Sequence, residues 1–155
     1  MITINSNHHY NGVRSILLPL DLTRETRQKV SLAIEMAKYF RAKIKVMSAL
    51  WAKGNHGILD RLDSQLKQVK KFIESSGVKC TAEIIDSSPN AKSLVPIVLK
   101  YAKDQGDIDL IIVMTQQELV IAEFFISSSA HDLIRYSEIP VMSVIPKELE
   151  YTSIM

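Results

Sequence analysis

Five short apolar runs, separated by longer stretches with helical spacing, constrain this chain more than any other feature. The runs are VRSILLPL at 13–20, KIKVMSAL at 43–50, VKCTAEIID at 78–86, IDLIIVM at 108–114 and VMSVI at 141–145. Continuous apolarity over so few residues suits a strand buried on both faces. The third run differs: Val78, Cys80, Ala82 and Ile84 alternate with Lys79, Thr81 and Glu83, as in a half-exposed outer strand. Between the runs the period changes to that of a helix. Val30, Ala33, Ile34 and Ala37 form one stripe, and Leu59, Leu62, Leu66, Val69 and Ile73 a second, with Lys67, Lys70 and Lys71 turned to solvent. Leu94, Ile97, Val98, Tyr101 and Ala102 form a third, and Ala130, Leu133 and Ile134 a fourth. Thr23, Ser93 and Ser129 are candidate N-caps, and Gly77 is a C′ residue. Pro96 is then tolerated because it falls in the first helical turn, where a backbone N–H has no partner within the helix.

Strands alternating with helices wind through right-handed crossovers into a parallel sheet covered on both faces. The predicted fold is therefore α/β, a single doubly wound domain with a five-stranded parallel sheet. Counting strands along the chain, the expected order is 3-2-1-4-5. A chain of 155 residues is the length of one such domain. It is placed at 13–147, with a flexible arm over 1–12 and a polar tail over 148–155.

Charge and composition then exclude several functions. The 19 basic and 17 acidic residues leave a net charge of +2, too balanced for nucleic acid as the main partner. Cys80 is the only cysteine, which rules out an intrachain disulfide and a cysteine-based zinc site. His8 and His9 stand side by side without further ligands, a weak metal site. The first residues are polar, unlike a signal peptide, and no apolar stretch approaches the roughly 20 residues that span a bilayer. A cytoplasmic protein with no membrane contact, no metal and no cofactor is expected.

In an open sheet of this order, ligands bind beyond the carboxyl ends of the first and fourth strands, where the winding reverses. That places Asp21 and its neighbours Leu20 and Leu22 beside Met114 and Thr115, with the helix start at Ser127, Ser128 and Ser129 closing the site. The run ILLPLDLTRETRQKVSLAIEMAKYFRAKIKVMSA resembles the opening of the universal stress protein family: a strand, an Asp followed by a capping hydroxyl residue, a helix with paired alanines, a second strand. DLIIVMTQQELVIAEFFISSSAHDLIRYSEIPVMSV resembles the family's closing segment, with Asp109, Thr115, Ser128, Arg135, Pro140 and Val141 at corresponding positions.

The resemblance implies one of two branches. Nucleotide-binding members carry G-x-x-G-x(9)-G-[ST] after the fourth strand to cradle the phosphates of ATP, and the Asp after the first strand reaches the adenosine. Other members lack the glycines and act as dimeric regulatory or stress-response proteins. Here the three glycine positions hold Met114, Gln117 and Ser127; only Ser128 and Asp21 are kept. Glycine serves such a loop through positive φ and close backbone approach to the anion. No Lys or Arg lies between 115 and 134 to neutralise a triphosphate. The expectation is thus a non-enzymatic homodimer that does not bind ATP, with a regulatory protein as partner. The alternative is a diverged nucleotide-binding member using Asp21, Thr115, Ser127 and Ser128.

No catalytic residues are expected. His131 and Asp132 would point about 100° apart on a helix, so Asp132 cannot orient the imidazole toward a nucleophilic Ser128. Helix capping is the plainer role of the serine cluster, with a small-anion site as the sharper one. In the resemblance the fifth strand pairs with its twin across a twofold axis. Val141, Met142, Val144 and Ile145 form an uncharged apolar edge that suits such pairing.

Overall fold

Ser15–Pro19 (β2) and Leu110–Met114 (β5) are buried along their whole lengths, which requires a strand on either side and helices on both faces. They pair in parallel, Ile16 opposite Leu110 and Leu17 opposite Ile111. Lys43–Leu50 (β3) lies beside β2, and Cys80–Asp86 (β4) beside β3. Val141–Val144 (β6) flanks β5 on the other side. The computed structural model describes residues 2–3, 12–20, 26–50, 56–86, 95–114 and 132–145. Within it the five parallel strands stand in the order β4-β3-β2-β5-β6, which is the expected 3-2-1-4-5.

Each helix presents the stripe that its spacing predicts. Val30, Ala33, Ile34 and Ala37 of Thr26–Phe40 (α1) are all buried, as are Leu62, Leu66 and Ile73 of His56–Ser75 (α2). Together with Ile16, Leu18, Ile44, Val46 and Ile112 they form the core on one face of the sheet. Leu59 departs from its stripe and is exposed, lying early in α2. On the other face, Val95, Val98, Tyr101 and Ala102 of Val95–Gln105 (α3) and Leu133 of a short helix over 132–136 (α4) pack on Leu17, Met47, Ile111 and Val141. Pro96 sits in the first turn of α3, where it is tolerated. Thr23, Ser93, Leu94, Ser129 and Ala130 lie outside the described residues.

The two central strands are clasped at their starts. The Asp109 carboxylate accepts the backbone N–H groups of Arg14 at 2.8 Å and Ser15 at 3.1 Å. In return the Asp109 N–H donates to the Ser15 carbonyl at 2.9 Å.

One end of the chain departs from expectation. The sequence predicts a flexible arm over 1–12, but Ile2–Thr3 (β1) forms a sixth, antiparallel strand on β6, Ile2 opposite Met142 and Thr3 opposite Val141. An edge strand presents a row of backbone groups that any extended segment can pair with, whatever its side chains. The rest of the arm up to residue 11 and the tail over 148–155 lie outside the described residues.

Three helices end in left-handed residues, Gly106 after α3 (φ 70°) being one of them. Gly77 does so after α2 with φ of 90°, and its N–H donates to Glu74 O at 3.0 Å. After α1 the same role falls to Arg41, at φ 57°, while the Ala42 N–H closes back on Ala37 O at 2.8 Å. A side chain in this conformation costs about 1 kcal/mol that glycine avoids. Arg41→Gly is therefore expected to raise stability by about that amount in urea denaturation, because Arg41 is exposed and loses no packing.

Candidate functional site at the carboxyl end of the sheet

The direction of winding reverses between β2 and β5: β2 leads through α1 to β3 on one side, and β5 leads through α4 to β6 on the other. The crevice beyond their carboxyl ends is where an open sheet of this kind takes a ligand.

The floor of this crevice is apolar and tightly held. Leu20, Ser48 and Met114 are all buried there. Both backbone groups of Leu20 are held by β3: its N–H donates to Met47 O at 2.8 Å, and its carbonyl accepts the Ser48 hydroxyl at 3.0 Å. The chain therefore leaves β2 in one direction, immediately before Asp21. Ser48 is the residue that sequence reasoning missed. Its signal was there, as the one hydroxyl inside the apolar run VMSAL.

Lys29, in the second turn of α1, was missed as well. It is half-buried, and its ammonium donates back to the carbonyl of Pro19, the last residue of β2. This puts a cation at the β2 wall of the crevice, outside the segment 115–134 where the sequence lacks one.

Met114 ends β5 as an ordinary strand residue, opposite Val144 in the ladder. The resemblance in sequence puts it at the first glycine position of the ATP pattern, and the residue is 8% exposed. Asp21, Thr115, Gln117, Ser127, Ser128 and His131 lie outside the described residues, as do His8 and His9. Asp132 is half-buried in α4.

The expected interface residues divide by role. Val141, at 1% exposure, serves this chain's own core on the α3 face. Met142 and Val144 pack partly on the opposite core. Their apolarity thus has a use within the single chain. Ile145, 61% exposed, does not.

Titratable groups elsewhere have structural uses. At the amino end of the sheet, Asp107 pairs with Lys43 at 2.7 Å and Lys45 at 2.8 Å, and Lys45 also donates to Gln105 at 2.6 Å. Burial works to raise the Asp107 carboxyl, but the two ammonium groups outweigh it and hold it below the usual range. Burial, with Glu74 adding to it, pushes the Cys80 thiol up to about 11, so it stays protonated and inert at neutral pH. Burial and then the nearby Glu83 carboxylate raise Tyr101 to about 12. Among the described residues, no three His, Cys, Asp or Glu side chains gather as a metal site would require, and no helix is long and apolar enough to cross a membrane.

No protein-family model and no curated protein matches the sequence. Solved structures match the fold over most of its length. A universal stress protein in complex with cAMP is 17% identical and superposes with a TM-score of 0.68, over 88% of this chain and 100% of that one. A universal stress protein from Archaeoglobus fulgidus in complex with dAMP is 16% identical with a TM-score of 0.65, over 84% of this chain and 96% of that one. A universal stress protein family member from Burkholderia pseudomallei is 16% identical with a TM-score of 0.67, over 90% of this chain and 100% of that one.

This chain has the universal stress protein fold. At such identities the agreement is one of backbone architecture, and the crevice between β2 and β5 is this chain's own version of the fold's switch point. Its most exacting polar contact is the Ser48 hydroxyl. Ser48→Ala leaves the Leu20 carbonyl without its buried donor, and is expected to cost about 1–2 kcal/mol in urea denaturation.

Proposed function

We propose that this chain is a universal stress protein of the branch that does not hold ATP, acting as a homodimeric regulatory domain in the cytoplasm with a protein partner and no reaction of its own. The observation that carries this reading is Met114. A buried methionine in regular strand conformation stands where a phosphate loop would open with glycine. Methionine lacks the backbone freedom and the close approach to an anion that glycine gives such a loop. In sequence, Gln117 and Ser127 remove the other two glycines, and Glu118 and Glu123 add negative charge.

ATP is expected to bind more weakly than ~1 mM by calorimetry, equivalent to only about 4 kcal/mol. Micromolar ATP binding that disappears on Asp21→Ala would reverse the choice of branch.

A second reading has specific support: two proteins with this fold are known in complex with cAMP and dAMP, each with a single phosphate. The Lys29 ammonium at the crevice wall is suited to one phosphate group rather than three. Titration with cAMP and AMP separates the readings. Binding of either that weakens tenfold or more in Lys29→Ala favours the second.

The homodimer is proposed through the β6 edge. Pairing there across a twofold axis would continue the sheet into a second copy and cover Ile145. Self-association is expected at tens of micromolar protein in sedimentation, a range typical of weak association. Ile145→Lys should weaken it at least tenfold while leaving the circular dichroism unchanged, because the side chain is exposed in the single chain.

A further inference from the structure

The sheet has two ends, and they are protected differently. At one end, β4 carries the exposed acidic side chains of Glu83 and Asp86, with Lys79 just before it. Charged side chains on an edge oppose pairing with another strand. At the other end, β6 carries no charge, and Ile145 beyond it is exposed. What β6 has instead is β1.

We propose that β1 is an intrachain stand-in for a second copy of this chain: docking of Ile2–Thr3 and dimerisation compete for the same β6 edge. This rests on the homodimer reading.

The register carries the argument. β1 lies along β6 at Val141 and Met142 and takes the outward-facing backbone of Val141. A twofold antiparallel pair centred on Ser143 would set Val141 opposite Ile145 of the second copy, and Met142 opposite Val144. It therefore needs the same backbone groups. Moving the axis by two residues, to the next outward-facing position, still draws on Val141 or shortens the pairing to a few residues. The two occupants exclude each other.

The competition is reversible because β1 is short. Among the described residues two pair with β6, a marginal strand, and Ile2 is still 45% exposed when docked. The arm belongs to the same chain as β6, so its local concentration at the edge is of millimolar order. A weak contact thus still competes with a second copy at micromolar concentration. Both copies must release their arms before they pair, so the penalty enters squared. An arm docked about two-thirds of the time weakens apparent dimerisation about tenfold.

The experiment uses three full-length proteins in sedimentation equilibrium. Ile2→Pro with Thr3→Pro removes the two β1 N–H groups and releases the arm. Ile2→Cys with Met142→Cys joins directly opposed positions and locks the arm when oxidised. Cys80 is buried and protonated, so it does not compete for the new thiols. The released protein is expected to dimerise about tenfold more tightly than the unaltered chain. The locked protein is expected to stay monomeric until reductant restores association. A dimer indifferent to both release and locking overturns this proposal and leaves the homodimer reading standing. A dimer weakened by release also overturns it, because the arm would then be exchanged between copies. If even the released protein stays monomeric to ~1 mM, the homodimer reading falls, and this proposal with it.

Discussion

The Asp109 carboxylate takes the N–H groups of Arg14 and Ser15, and its own N–H returns a bond to Ser15. This clasp sets β5 beside β2, although 90 residues of chain separate Pro19 from Asp109. Placing the fourth parallel strand next to the first, rather than beyond the third, gives the sheet its other properties. It buries β2 and β5 completely, puts two helices on each face, and creates the point where the winding reverses. Asp109 lies in the segment whose sequence resembles the universal stress protein family. Its role here is architectural: it is a fastener at the end of the sheet opposite the crevice.

At the carboxyl end the important contacts are to backbone. Leu20 is held through both its N–H and its carbonyl by β3, one of them through a buried hydroxyl. A rigid backbone at that point fixes the direction in which the chain leaves β2, immediately before Asp21. Across the crevice, Met114 continues the β5 ladder to its last residue instead of breaking it. Among the described residues, Leu20, Ser48 and Met114 are buried at this end of the sheet. The Lys29 ammonium on Pro19 supplies one cation at the rim.

The two edges show how a parallel sheet limits its own growth. β4 relies on charge, which acts against any partner. β6 is uncharged because its side chains are needed inside: Val141 in one core, Met142 and Val144 against the other. An edge that cannot carry charge without harming the core needs a different protection, and a short added strand is one that leaves the core composition untouched.

Much of this fold was legible in the chain itself. Alternation of apolar runs with helical stripes dictated the strands, helices and parallel winding, because burial on two faces and burial on one face require different periods. The stripes on α1 and α2 match the buried residues almost one for one, Leu59 excepted. The departures from the glycine pattern at Met114, Gln117 and Ser127 were equally readable, since glycine's backbone freedom has no substitute. Other features depend on neighbours distant in sequence. Ser48 reads as a flaw in an apolar strand until Leu20, 28 residues earlier, is seen to need its hydroxyl. Lys29 reads as an ordinary helix cation until α1 folds back onto the end of β2. Ile2 and Thr3 are β-branched, but so short a stretch does not read as a strand on its own; β6 offers them an edge. Local spacing determined what each segment is. The assembled sheet decided which backbone groups lacked partners, and therefore which side chains and which stretch of the amino terminus were recruited to meet them.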